Sequence, residues 1–131
     1  MSNEEKLFMY WRDMLKLNDW TIQFRYNVQH DDMNIEDSCG CTSWNEASKT
    51  ALIQILKPDQ YGDRIVPFDV EKTIVHELLH IKMSLIASEC DDLQERIAHQ
   101  IIDDLAKAMV NARRNNKFTA KMIEKWEEEL A

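Results

Sequence analysis

The stretch Asp69-Val70-Glu71-Lys72-Thr73-Ile74-Val75-His76-Glu77-Leu78-Leu79-His80-Ile81 decides how the rest of the chain must be arranged. Asp69 is a good N-cap, and the apolar content from Val70 to about Leu85 predicts a helix. Thr73, His76, Glu77, His80 and Ser84 form one polar stripe on it, while Val70, Ile74, Val75, Leu78, Leu79, Ile81, Leu85 and Ile86 make the remaining surface apolar. A helix of that pattern should be buried on most sides and open one polar line onto a cleft. Within it, His76-Glu77-Leu78-Leu79-His80 is an H-E-x-x-H sequence. Residues four apart share a helix face, so both imidazoles can reach one tetrahedral Zn²⁺, with Glu77 facing a water beside it. With four histidines in 131 residues, chance produces this pattern in about one chain in a hundred of such composition. Two ordinary surface histidines are the bland alternative, but buried ionisable groups need partners and a metal supplies them.

Upstream, Glu4 to Leu17 places Leu7, Phe8, Trp11, Met14 and Leu15 at helical spacing. Trp20 to Val28 alternates apolar and polar residues, the pattern of a half-buried strand. Cys39 to Trp44 and Thr50 to Leu56 are two short candidate strands, joined by Asn45 to Lys49, a connection of hairpin length. Downstream of a break over Ala87 to Asp92, a second helix carries Leu93, Ile97, Ile101, Leu105, Ala108 and Met109 on its apolar side, and a last helix runs from about Thr119 to Leu130. Trp11, Trp20 and Trp126 sit on apolar faces and are expected in the core. The expected fold is α+β: an N-terminal helix, a three-stranded, mostly antiparallel sheet, the H-E-x-x-H helix, a helix carrying Glu95 and a C-terminal helix. Residues 1–131 should form one domain.

Composition narrows the function. Sixteen Lys and Arg against 24 Asp and Glu leave a formal net charge of −8, which disfavours nucleic acid and anionic membrane surfaces as partners. Gly40 and Gly62 are the only glycines, so no phosphate-cradling glycine loop is present. The amino terminus lacks the pattern of a signal peptide and no apolar run is of membrane-spanning length, so a cytoplasmic protein is expected. Three cysteines are no disulfide framework and suit a reducing compartment. Cys39-Gly40-Cys41 with Cys90 and His30 is a weak pattern for a second metal; cysteines at alternate strand positions are more often small packing residues.

The residues three and six places after His80 are Met83 and Ile86, not the Gly and His of the metzincin extension. What remains resembles a minimal metallopeptidase of the gluzincin-type zincins, akin to short phage and bacterial metallopeptidases and more distantly to SprT-like domains. In that family a Glu on the following helix completes the site, often as a Glu-x-x-x-Asp pair whose second member orients a ligand. The nearest match here is Glu95-Arg96-Ile97-Ala98-His99, with His in place of Asp. The resemblance therefore implies Zn²⁺ held by His76, His80 and Glu95, with His99 as a supporting or alternative ligand. Helical rise leaves both open. If the motif helix ends near Leu85 and the next begins near Ser88, Glu95 lies level with residue 78. If the first runs on to Ser88 and the next starts at Asp92, His99 is level with His80. Glu95 also has a plainer reading, as a capping residue reaching back to Asp92.

The implied activity is hydrolysis of peptide bonds by a water that zinc activates, with Glu77 as general base. A peptide or protein substrate would pair with the strand Thr50 to Leu56, placing Ala51, Leu52, Ile53 and Gln54 along it. Tyr61 and His30 are the candidates for a second electrophilic group. Two alternatives compete: a catalytically silent zincin-fold binding or regulatory protein, and a SprT-like DNA-associated protease. An intact Glu77 speaks against the first. Against the second, the only basic clusters are Arg113-Arg114 and Lys117 to Lys121, with no C-x-x-C pair.

Overall fold

In the computed structural model, which describes residues 1–35, 38–62, 65–87 and 91–130, the chain opens with helix α1 (Asn3–Met14), started by the Ser2 hydroxyl accepting from the Glu5 N–H. Strand β1 (Thr21–Val28) follows and keeps the alternation of its sequence, with Ile22, Phe24 and Tyr26 turned inward. Phe24 stacks on Phe8 of α1 at 4.5 Å between ring centroids. Strands β2 (Gly40–Asn45) and β3 (Thr50–Leu56) form the expected hairpin, Asn45 opposite Thr50, with Lys49 taking the left-handed φ of 53° that closes the turn.

The sheet order is β1-β3-β2, with β3 parallel to β1 and antiparallel to β2. The expectation of a mostly antiparallel sheet is thus corrected to a mixed one. The segment after β1 is long enough to carry the chain past the position of β3 to the far edge, so the hairpin returns β3 into the middle alongside β1. Central placement explains its composition: Ile53, Ile55 and Leu56 are fully buried, in keeping with a strand covered on both sides.

Helix α2 (Val70–Lys82) is capped by the Asp69 carboxylate accepting from Lys72 N–H, as its sequence predicts. Ile74, Val75, Leu78 and Ile81 are essentially inaccessible, and they pack with α1 and β3 into the main core. A single turn, α3 (Ser84–Ala87), leads toward α4 (Asp92–Arg114) and α5 (Asn116–Leu130). Ile86, expected on the buried face, is exposed because α2 has already ended. α4 also departs from its apparent apolar side. Its buried residues are Ile102, Ala106 and Val110, whereas Leu93, Ile97, Ile101 and Leu105 are 65%, 49%, 46% and 42% exposed. Trp11 is buried and Trp20 half-buried against the core, but Trp126 on α5 is exposed. Among the described residues no helix is long and apolar enough to cross a membrane.

A buried carboxylate ties three helices together. Glu71 accepts from Trp11 Nε1 of α1 at 2.8 Å, from Arg113 Nη2 at 2.6 Å and from Arg114 Nε at 3.3 Å, both on α4. Arg114 also makes a bidentate pair with Asp69 at 2.7 and 2.8 Å. Burial alone would raise the Glu71 pKa, but hydrogen bonds from Arg113 and Trp11 outweigh it and hold the carboxyl below its ordinary value. Arg114 does the same for Asp69. Both carboxylates therefore stabilise the fold fully above the ordinary carboxylate range, and that contribution is lost as pH falls through their lowered folded values. Replacing Glu71 with Gln should cost about 2 to 3 kcal/mol at pH 7, below the usual figure for a fully buried pair because Arg113 is partly solvated. Urea denaturation at pH 7 and at acid pH should show that deficit shrinking as the wild-type carboxylate itself protonates.

Candidate metal centre

The two histidines of α2 and one of α4 converge. Ring centroids of His76 and His80 are 5.0 Å apart, those of His76 and His99 are 4.8 Å apart, and those of His80 and His99 are 5.3 Å apart. One donor atom from each lies within 4.8 Å of the others, and this is the metal-capable group found among the described residues. Two nitrogens bound to one Zn²⁺ sit roughly 3.4 Å apart at ordinary Zn–N lengths, so small side-chain rotations close the trio on an ion. Chemistry fits as well as distance. Burial, aided by the neighbouring rings, lowers the pKa of His80 to about 4, and burial likewise lowers that of His76, so both present neutral imidazoles with a free lone pair.

Glu95 is not in this group. α4 begins at Asp92, with Asp91 as N-cap and a capping box formed with Gln94. Relative to a start near Ser88, that later start shifts the helix by four residues, about 6 Å of rise, and carries His99 rather than Glu95 to the level of the motif. Glu95 lies exposed in the first turn, where its charge suits the helix dipole. The capping role expected of it belongs to Gln94.

One supporting residue escaped the sequence reading. Asp103 Oδ1 lies 3.4 Å from His76 Nδ1, and its other oxygen binds Lys107 Nζ at 2.8 Å. It occupies Nδ1 and leaves Nε2 as the nitrogen able to accept a metal. The pair of donor and orienting acid is thus His99-x-x-x-Asp103, the spacing sought at Glu95 but one helical turn later. That spacing was the available signal.

Glu77 faces β2. It is 5% exposed, and burial pushes its pKa up to about 7, opposed by Thr42, whose hydroxyl lies 3.3 Å from Oε2. β2 approaches α2 so closely that a Cβ on Gly40 would stand 2.8 Å from Thr73 Cγ2 and 3.0 Å from Glu77 Cγ. Glycine at this position is a packing requirement of the site.

Glu77 and His76 open onto a cleft of about 330 Å³, walled by Tyr61, Val66, Pro67 and Phe68 and also lined by Lys72, His99 and Asp103. Tyr61 is therefore at the cleft, with its hydroxyl donating to the Val66 carbonyl at 2.5 Å. His30 lies instead in the short turn after β1, beside Asp31. Ala51, Leu52, Ile53 and Gln54 cannot pair with a substrate strand, because both edges of β3 are already hydrogen-bonded. Gln54 accepts from Asn34 N–H and Cys41 Sγ, pinning the loop after β1. The strand with an outer edge beside the site is β2. Cys41 is a buried thiol with its pKa raised by burial, which does not favour a metal-binding thiolate, and Cys90 lies outside the described residues.

Searches against protein-family models, curated proteins and solved structures each returned no match.

Two outcomes are expected. Zinc at a hundred times its Kd should raise the unfolding free energy of the wild type and of Glu95→Ala by about 2.7 kcal/mol, with no such gain in His99→Ala; the reverse ranking would make Glu95 the ligand. Gly40→Ala should lower stability by about 1 to 3 kcal/mol in chemical denaturation, through separation of β2 from α2.

Proposed function

We propose that the chain is a zinc-dependent metallopeptidase of zincin type, with His76, His80 and His99 as the metal-holding residues and Glu77 as general base. The observation that carries this reading is the convergence of His76, His80 and His99 beside a buried carboxylate, with His76, His99 and Glu77 opening onto one cleft. A purely structural site has no use for that carboxylate. A bound zinc ion would supply Lewis-acid polarisation of a carbonyl and acidify a water.

The chain's own groups supply the rest. Glu77 is placed to take a proton from water and return it to the leaving amine, and a carboxyl whose pKa is lifted toward neutrality is suited to both transfers. Thr42 fixes one carboxylate oxygen and thereby the direction of the other. Asp103 holds the tautomer of His76. An extended peptide would add to the outer edge of β2, which runs over α2 at Gly40 and Thr42.

Purified protein should contain zinc that chelation removes, and cleavage of a mixed peptide library should follow metal loading. Glu77→Gln should retain the metal and lose at least about a hundredfold in kcat/KM. Wild-type protein without affinity for zinc, or an equally active Glu77→Gln, would overturn the proposal.

A further inference from the structure

The cleft carries charges whose pairing is uneven. Of its acidic groups, Asp69 is held by Arg114 in a bidentate pair, Asp103 is bound to Lys107 and His76, and Glu77 is buried and receives the Thr42 hydroxyl. Lys72 is the cleft's remaining charged group, on the face of α2 one turn before His76. Its side chain makes no hydrogen bond or ion pair among the described residues; only its backbone N–H is used, by the Asp69 cap. Asp69, Asp103 and His76 all feel its charge, so the ammonium lies near the metal centre without being neutralised there by a contact.

Lys72 also marks where the cleft continues. A second hollow of about 640 Å³ shares Val66, Pro67, Phe68, Asp69 and Lys72 with the first and is further lined by Lys107 and Arg113. A peptide leaving the metal centre in this direction passes along the apolar wall of Tyr61 and Phe68 and crosses the Lys72 ammonium. On a chain of net charge −8, an uncommitted cation in this position is a local exception to the overall field.

We infer that Lys72 is a specificity-determining residue that binds a carboxylate of the substrate close to the scissile bond, so that the substrates are peptides bearing an acidic group on that side. The carboxylate is either an Asp or Glu side chain or a free carboxyl terminus, both of which offer the same two oxygens to the ammonium. This rests on the reading of the cleft as a peptide-cleaving site. The recognition step itself needs no metal.

The test is binding of fluorescently labelled peptides to the full chain in chelator, where no carboxylate–zinc contact can contribute. The peptides differ at single positions as Glu, Gln or Lys, each with a free or an amidated carboxyl terminus. Wild type should bind the carboxylate-bearing member about tenfold more tightly than its neutral counterpart, less so at high salt. Lys72→Met should abolish the preference and Lys72→Arg should retain it. A preference following internal Glu identifies a side chain, and one following the free terminus identifies a terminal carboxylate. Equal binding of all peptides, a preference that survives Lys72→Met, or no binding of any peptide would overturn the inference. Cleavage by the zinc-loaded wild type is scored separately. Cleavage without the carboxylate preference removes the role of Lys72 alone, whereas the preference without cleavage removes the peptidase reading alone.

Discussion

The site depends on the register between α2 and α4, and that register is set by one buried carboxylate. Glu71 receives Trp11, Arg113 and Arg114 at the start of α2 and the end of α4. Because the helices run antiparallel, fixing Arg113 against Glu71 also brings Asp103 to His76, and His99 to both histidines of the motif. A partly satisfied Glu71 would carry a large desolvation cost, so the network forms completely or the helices separate. The ionic contacts are thus more useful for their geometry than for the free energy they add.

Sheet and helix divide the remaining work. β3, buried on both sides, supports the apolar face of α2, and β2 supplies the close contact that only Gly40 permits. The same approach buries Glu77 and leaves Thr42 as its hydrogen-bond partner from the sheet. Acid–base character and strand position are therefore one packing decision.

Local features were readable in the sequence and non-local ones were not. The helix over Val70–Lys82, its Asp69 cap, the alternation of β1 and the β2–β3 hairpin follow from periodicity and turn chemistry within a few residues. The parallel pairing of β1 with β3 depends on where a polar connection crosses the sheet, and no periodicity encodes that path. The third donor turned on where α4 begins; a cap at Asp91 in place of a start near Ser88 exchanges Glu95 for His99. Hydropathy also misjudged α4. Its most apolar stripe, through Leu93 and Ile101, faces outward, while the smaller Ala106 and Val110 allow α2 to approach. Nothing local in the sequence distinguishes Glu71 from an exposed first-turn acid, although it is buried.

The two halves of α4 are held unequally. Ile102, Ala106, Val110 and the Glu71 network secure the half toward its carboxyl end, whereas the stretch from Asp92 to Ile101 has no fully buried side chain and is held at its tip by the Asp91–Gln94 box. His99 stands on the less secured half. The lowest free-energy opening of the cluster is consequently a fraying of two or three turns that releases His99 and leaves the His76–His80 pair in place on α2, whose apolar face is buried. Opening of the three-histidine cluster is then decoupled from global unfolding and follows the timescale of a helix end rather than that of the whole fold.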